Sequence, residues 1–246
     1  MTYCVGMKLD RGLVFMSDTR TNAGVDNISV FKKMFIWERA GERSVTLMTA
    51  GNLATTQAVV SLLNERAKPA EERGHPSILD APSMFQVAKL VGETLREVIA
   101  EQSGRDGPQA DSPFSATLIL GGQVRGGEPR LFMIYPEGNF VEAAEDTPFF
   151  QIGETKYGKP ILVRAYEPEM SFEDAVKLLM LSFDSTIKAN LSVSLPLDLH
   201  LYEADTFRTG RVQRIERDDA FYEMLSSGWG EALKNAFKAL PPYTLD

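Results

Sequence analysis

Apolar positions recur with the short period of extended strands over the first fifty residues, then with the longer period of helices, and the two regimes alternate to the end of the chain. Tyr3 to Leu9 and Leu13 to Ser17 read as two strands joined at Asp10-Arg11-Gly12, with glycine in the turn. A polar stretch, Thr19 to Asn27, leads into a strand from Val30 to Glu38. The turn Ala40-Gly41-Glu42-Arg43 then precedes another from Val45 to Ala50. Leu53 to Arg66 carries Leu53, Ala54, Ala58, Leu62 and Leu63 at helical spacing, and Phe85 to Gln102 repeats the pattern with Val87, Leu90, Val91, Leu95 and Val98. The polar, proline-containing segments Lys68 to Pro82 and Ser103 to Pro113 read as loops.

Strands resume at Ala116 to Leu120, Leu131 to Tyr135, Asn139 to Ala143 and Phe149 to Ile152. A short helix is predicted near Lys159 to Tyr166. Ser171-Phe172-Glu173-Asp174 has the pattern of a capping box opening a longer helix to about Asn190. Strands at Leu197 to Tyr202 and Thr209 to Ile215 precede a last helix, Ala220 to about Leu240, which Pro241-Pro242 stops. Blocks of antiparallel-looking strands alternating with blocks of helices predict an α+β protein with helices layered outside sheets. No repeat, low-complexity segment or linker divides the chain, so one domain over 1–246 is expected.

Composition narrows the chemistry. Lys and Arg number 26 against 34 Asp and Glu, a net charge of −8, with two His and one Cys in 246 residues. So few soft ligands cannot build a cysteine-rich zinc site, an iron–sulfur cluster or a disulfide framework, and no metal or cofactor is expected. The negative balance lacks the positive field that nucleic acid or an anionic membrane requires. No stretch approaches the ~20 apolar residues of a membrane span. The first ten residues show no basic segment running into an apolar one, and a lone thiol suits a reducing compartment, so a cytoplasmic location is expected.

Several conspicuous residues have plain structural readings. Gly153-Glu154-Thr155-Lys156-Tyr157-Gly158-Lys159 sits between a strand and a helix like a phosphate-binding loop. Pro160, however, occupies the place of the Ser or Thr that would ligate magnesium, and the segment reads as a helix-entry turn. His75 lies in a Gly-His-Pro loop and reads as a surface residue; His200 reads as a satisfied strand residue. Cys4, in the first strand, reads as a small buried hydrophobe.

Thr2 is different. A small residue after the initiator Met permits Met removal, and an N-terminal Thr then combines a nucleophilic hydroxyl with its own α-amine as base. With Asp18 and Arg20 at the end of the second strand, Lys33 in Lys-Lys-Met and Gly51 in Thr-Ala-Gly, the chain resembles the proteasome β-type subunits. Within that family the pattern is most like that of the bacterial homologue Anbu. The segment Met170 to Tyr202 parallels the family's long helix and the strand after it.

The resemblance implies the four-layer αββα sandwich of the N-terminal-nucleophile hydrolases, with Thr2 as nucleophile, Asp18 and Lys33 as its charged partners and the Gly51 N–H as oxyanion donor. Arg20, Gly153 and Asn190 fall in the supporting shell, and Thr21 and Thr49 line the substrate pocket by position. Two positions depart from the common pattern: Asn190 stands where many active β-subunits carry Asp, and Glu154 where Ser is expected after Gly153. A free α-amine titrates near ~7.7–8.0, so part of it is neutral near pH 7, whereas Asp18 would stabilise a neighbouring ammonium. The amine is therefore the expected base and Lys33 the expected cation. The implied activity is that of a threonine-type peptidase in a self-assembled ring or open spiral, acting on peptides. A small-amide hydrolase and a catalytically silent ring subunit are the alternatives, and no ATPase partner is legible.

Overall fold

The computed structural model describes residues 2–22, 28–103 and 113–244. The first two strands, β1 (Tyr3–Leu9) and β2 (Gly12–Asp18), form the expected hairpin. Every residue of β2 is buried, because both faces of its sheet are covered. That is why these segments read as continuous apolar runs and not as clean alternation. Beyond β2 lie two short paired strands, β3 (Arg20–Asn22) and β4 (Ile28–Val30). The chain then crosses to a second sheet through β5 (Met34–Arg39) and β6 (Arg43–Gly51).

Helices α1 (Leu53–Arg66) and α2 (Met84–Ser103) come next, followed by β7 (Ala116–Val124), β8 (Arg130–Ile134) and β9 (Phe140–Glu142). These strands complete a five-stranded antiparallel sheet in the order β5-β6-β7-β8-β9. The chain returns with β10 (Phe149–Gly153) to the outer side of β1. Two helices follow, α3 (Lys159–Ala165) and α4 (Phe172–Ala189), and then β11 (Leu197–Glu203), β12 (Arg211–Ile215) and α5 (Ala220–Ala239). The first sheet thus runs β10-β1-β2-β11-β12, also antiparallel throughout.

Three apolar layers hold these elements together. Phe15, Met48, Ile119, Leu131 and Tyr202 pack between the sheets. Val45, Leu47, Leu118 and Leu120 face the opposite way, beneath Val87, Val91 and Leu95 of α2. Val5, Val14 and Met16 lie beneath Leu178, Leu179 and Phe183 of α4. Helix, sheet, sheet, helix is the αββα sandwich. The caps follow the sequence: Asn52 accepts the Thr55 N–H at 3.1 Å to start α1, and Ser171 accepts the Asp174 N–H at 3.0 Å to start α4.

The structure corrects some boundaries. The strand expected from Val30 to Glu38 is interrupted at residues 31–33, where the chain passes from one sheet to the other and the Lys33 side chain turns towards Asp18. The polar stretch Thr19 to Asn27 contains β3, while residues 23–27 lie outside the described residues. β7 runs on through Gly121 to Val124. A Cβ at Gly121 would stand 2.7 Å from the Phe15 ring, so close sheet packing and not a strand end accounts for the glycine. Most of the loop expected at Ser103 to Pro113 lies outside the described residues.

His200 is fully buried between the sheets, stacked on Phe15, with Nδ1 2.9 Å from the Thr46 hydroxyl and no partner for Nε2 among the described residues. Burial pushes its pKa down to about 4, against ~6.5 in an unfolded chain. Because the folded value is depressed, the stabilisation is complete above pH ~6.5 and lost as pH falls towards about 4, roughly 3 kcal/mol in all. Urea unfolding between pH 7 and 4 should therefore show one more proton taken up on unfolding in the native chain than in His200→Gln.

Candidate active site

The ends of four strands converge at one edge of the sandwich: the start of β1, the end of β2, the approach to β5 and the end of β6. Asp18 closes β2 with its side chain fully buried, and Oδ1 accepts the Lys33 ammonium at 2.8 Å and the Tyr3 N–H at 2.9 Å. Lys33, 5% exposed, gives a second hydrogen bond to the Arg20 carbonyl at 2.6 Å. Arg20 thus enters the site through its backbone. The Thr49 N–H donates to the Lys33 carbonyl at 3.0 Å, which fixes the segment ahead of β5 against β6.

Burial pushes the Asp18 carboxyl up; the Lys33 charge, the Lys33 hydrogen bond and the Tyr3 N–H act against it. A carboxylate and an ammonium this deeply buried persist only as a hydrogen-bonded pair. Asp18 Oδ2 has no hydrogen-bond partner among the described residues, so the pairing depends on a single oxygen.

A cleft of about 440 Å³ opens beside this pair, lined by Thr2, Thr21, Lys32, Lys33, Thr49, Ala50, Gly51, Leu53, Thr56 and Gly153. Gly51 sits at the end of β6 with φ +119°, and a Cβ there would approach the Ser115 carbonyl to 2.5 Å. Only glycine fits a backbone both positively twisted and this close to its neighbour. Gly153 pairs with Tyr3 across β10 and β1 with φ +82°, and a Cβ would lie 2.0 Å from the Thr2 carbonyl oxygen. The next residue, Glu154, donates its N–H to that carbonyl at 2.7 Å, and the Asn190 amide donates to the Glu154 carboxylate at 3.0 Å.

Of the residues singled out in the sequence, Thr2, Thr21, Lys33, Thr49, Gly51 and Gly153 line the cleft together. Asp18 stands behind Lys33, Arg20 caps it through a carbonyl, and Asn190 reaches the edge through Glu154. His75 is exposed and His200 is remote from the cleft lining. Cys4 is fully buried, and burial pushes its thiol pKa up, which leaves it an inert packing group. Sequence reasoning missed Lys32, Leu53 and Thr56 as walls, and Tyr3 as the donor that fixes Asp18. The Tyr3 role had a usable signal, since it directly follows the candidate nucleophile.

Two larger hollows, of about 650 and 750 Å³, lie around Pro148 and Tyr166. Neither is lined by a buried ion pair, so chemistry and not volume distinguishes the smaller cleft. Among the described residues, no helix is long and apolar enough to cross a membrane.

Known proteins share the overall fold. The structure of Anbu (ancestral beta-subunit) from Yersinia bercovieri is 47% identical, covers 100% of both chains and superposes with a TM-score of 0.92. Anbu from Hyphomicrobium sp. strain MC1 is 49% identical over 99% of this chain and 100% of its own, with a TM-score of 0.90. The helical assembly of the Anbu complex from Pseudomonas aeruginosa supplies a third, 44% identical over 99% and 98% of the two chains, with a TM-score of 0.91. Among curated proteins, proteasome subunit beta 2 of Pyrobaculum calidifontis is 27% identical over 175 residues, 71% of this chain and 75% of its own. The family model described as proteasome subunit matches residues 2–194, and the chain belongs to the proteasome-subunit family.

Proposed function

We propose that the chain is a threonine-type peptidase of the proteasome kind, with Thr2, freed by removal of Met1, as its nucleophile. The observation that carries this reading is the cleft in which Thr2 and Gly51 share walls with Lys33, itself held by the buried carboxylate of Asp18. In the proposed reaction the Thr2 hydroxyl attacks the scissile carbonyl and its proton passes to the α-amine, directly or through a water. The fixed Lys33 cation favours the ionised oxygen. The Gly51 N–H donates to the tetrahedral oxyanion, a contribution worth about 3–4 kcal/mol in comparable sites. Collapse breaks the C–N bond, and the α-ammonium returns its proton to the leaving amine. Water then attacks the resulting ester, with the amine again as base, and releases the acid and free Thr2.

The family and the helical assembly of the Pseudomonas aeruginosa relative support a homo-oligomer, with a ring or spiral as the proposed form. The apolar residues Leu233, Phe237 and Leu240 at the end of α5 are mostly exposed, Phe237 at 77%, and a second copy of the chain is their proposed cover.

Intact-mass measurement with and without an epoxyketone directed at N-terminal Thr tests the nucleophile. The expected result is loss of Met1 and a single adduct in the native chain, with none in Thr2→Ala. A native chain lacking Met1 that takes no label would point to a silent subunit. Labelling without hydrolysis across a peptide library would point to a small-amide hydrolase.

A further inference from the structure

The turn Gly153–Gly158 does more than lead into α3. Its residues, together with Gln151 and Ser182, hold Thr2 and Tyr3, the first residue of β1. The Tyr3 ring packs on Phe183 with 4.4 Å between ring centres. The Tyr3 hydroxyl accepts from the Gln151 amide at 2.7 Å and lies 2.7 Å from the Ser182 hydroxyl. Ser182 donates to the Gly158 carbonyl at 3.0 Å, which leaves Tyr3 as the donor of the Tyr3–Ser182 bond. The direction of the whole chain is then fixed: Gln151 to Tyr3, Tyr3 to Ser182, Ser182 to Gly158.

Burial pushes the Tyr3 pKa up to about 12, so the phenol keeps its proton throughout the neutral range. Gly158 is pressed against the network, for a Cβ there would stand 2.4 Å from the Tyr3 oxygen and 2.3 Å from the Ser182 oxygen. On the other side, the Glu154 N–H holds the Thr2 carbonyl at 2.7 Å. The Glu154 carboxylate accepts the Lys156 N–H and the Asn190 amide, both at 3.0 Å, and Asn190 in turn accepts the Ser192 N–H at 3.0 Å.

We propose that Tyr3 and Glu154 are positioning residues: together they form a clasp that sets Thr2 in place against the Lys33–Asp18 pair. The proposal rests on Thr2 as the nucleophile. A ring alone would satisfy the packing on Phe183. The hydroxyl adds a directed three-bond tether one residue from Thr2, and Glu154 adds a second tether on the Thr2 carbonyl itself. Neither group touches the reacting atoms. Both act by removing freedom from the residue that does, and a displacement of about 1 Å at a reacting group costs on the order of a hundredfold in rate.

The test uses the assembled chain with Met1 removed, as native protein, as Tyr3→Phe and as Asn190→Ala. Two quantities are measured: the inactivation rate constant and the binding constant of the epoxyketone, and hydrogen exchange at the Tyr3 amide. The expected result is a rate constant about tenfold lower or more at an unchanged binding constant, with Tyr3 exchange about tenfold faster, in both variants. Asn190→Ala carries the test if Tyr3→Phe fails to fold, since Asn190 is only partly buried. A labelled native chain with both variants within twofold of it in rate constant overturns the clasp and leaves the nucleophile standing. If the native chain takes no label at Thr2, the nucleophile reading has failed instead. Exchange then decides the clasp: unchanged Tyr3 protection in both variants overturns it, and loosened protection upholds the tether.

Discussion

A chain carrying an uncleaved extension ahead of Thr2 will hydrolyse amide substrate at least about a thousandfold more slowly than the same chain after the extension is cut away. Two effects combine. Acylation turns the α-amine into an amide whose lone pair is delocalised, so no base remains in the first residue, and loss of a positioned base alone costs about 10²–10⁴-fold. The extension is also attached directly to Thr2, which lines the cleft, so it competes with substrate for space beside the nucleophile. Rate against pH gives the sign. The free amine acts as a base only when neutral, so activity should rise as pH passes through the ~7.7–8.0 range of an α-amine. The measurement is hydrolysis of one peptide before and after cleavage, with intact mass to confirm the terminus. Equal rates from both forms would remove Thr2 from the mechanism.

Asp18→Asn and Lys33→Met are each expected to destabilise the fold by about 3–5 kcal/mol, while the double variant loses less than either alone. Removing one member leaves the other as a buried charge without its counter-ion, and both are almost wholly inside. Removing both replaces an ion pair with neutral groups of similar volume, which is often tolerated. In melting temperature the single variants should fall by on the order of 10 °C. Activity should not follow stability: no member of the set should label at Thr2 at the native rate, the more stable double variant included. A double variant that labels normally would show that the pair is architectural and that Thr2 works without it.

The sequence made the site more legible than its surroundings. Thr2 could be picked out because it stands immediately before the first strand signal, and the resemblance to proteasome β-type subunits then drew Asp18, Lys33 and Gly51 into one site. The alternation of strand and helix blocks also gave the α+β class. What stayed hidden was contact between distant segments. Ser182 lies in the middle of an amphipathic helix with nothing in its local pattern to mark it, yet it hydrogen-bonds to Tyr3 179 residues away. The break at residues 31–33 was hidden for a related reason, since apolar residues flank the Lys32-Lys33 pair on both sides and the need to turn one lysine towards Asp18 exists only in the folded chain. Gly121 looked like a strand end because the Phe15 ring that requires it comes from the other sheet.

The division of labour around the cleft bears on how such a protein can change. Asp18 and Lys33 belong to β2 and the approach to β5, and the Gly51 backbone to the end of β6, all anchored in the layers between and beneath the sheets. Thr21, by contrast, comes from the short β3–β4 pair, and Leu53 and Thr56 from the first turn of α1. Part of the cleft wall is therefore supplied by elements other than those that carry its charged floor. A lineage could replace wall residues one at a time, and so explore new occupants of the cleft, without disturbing the buried pair on which the proposed reaction depends.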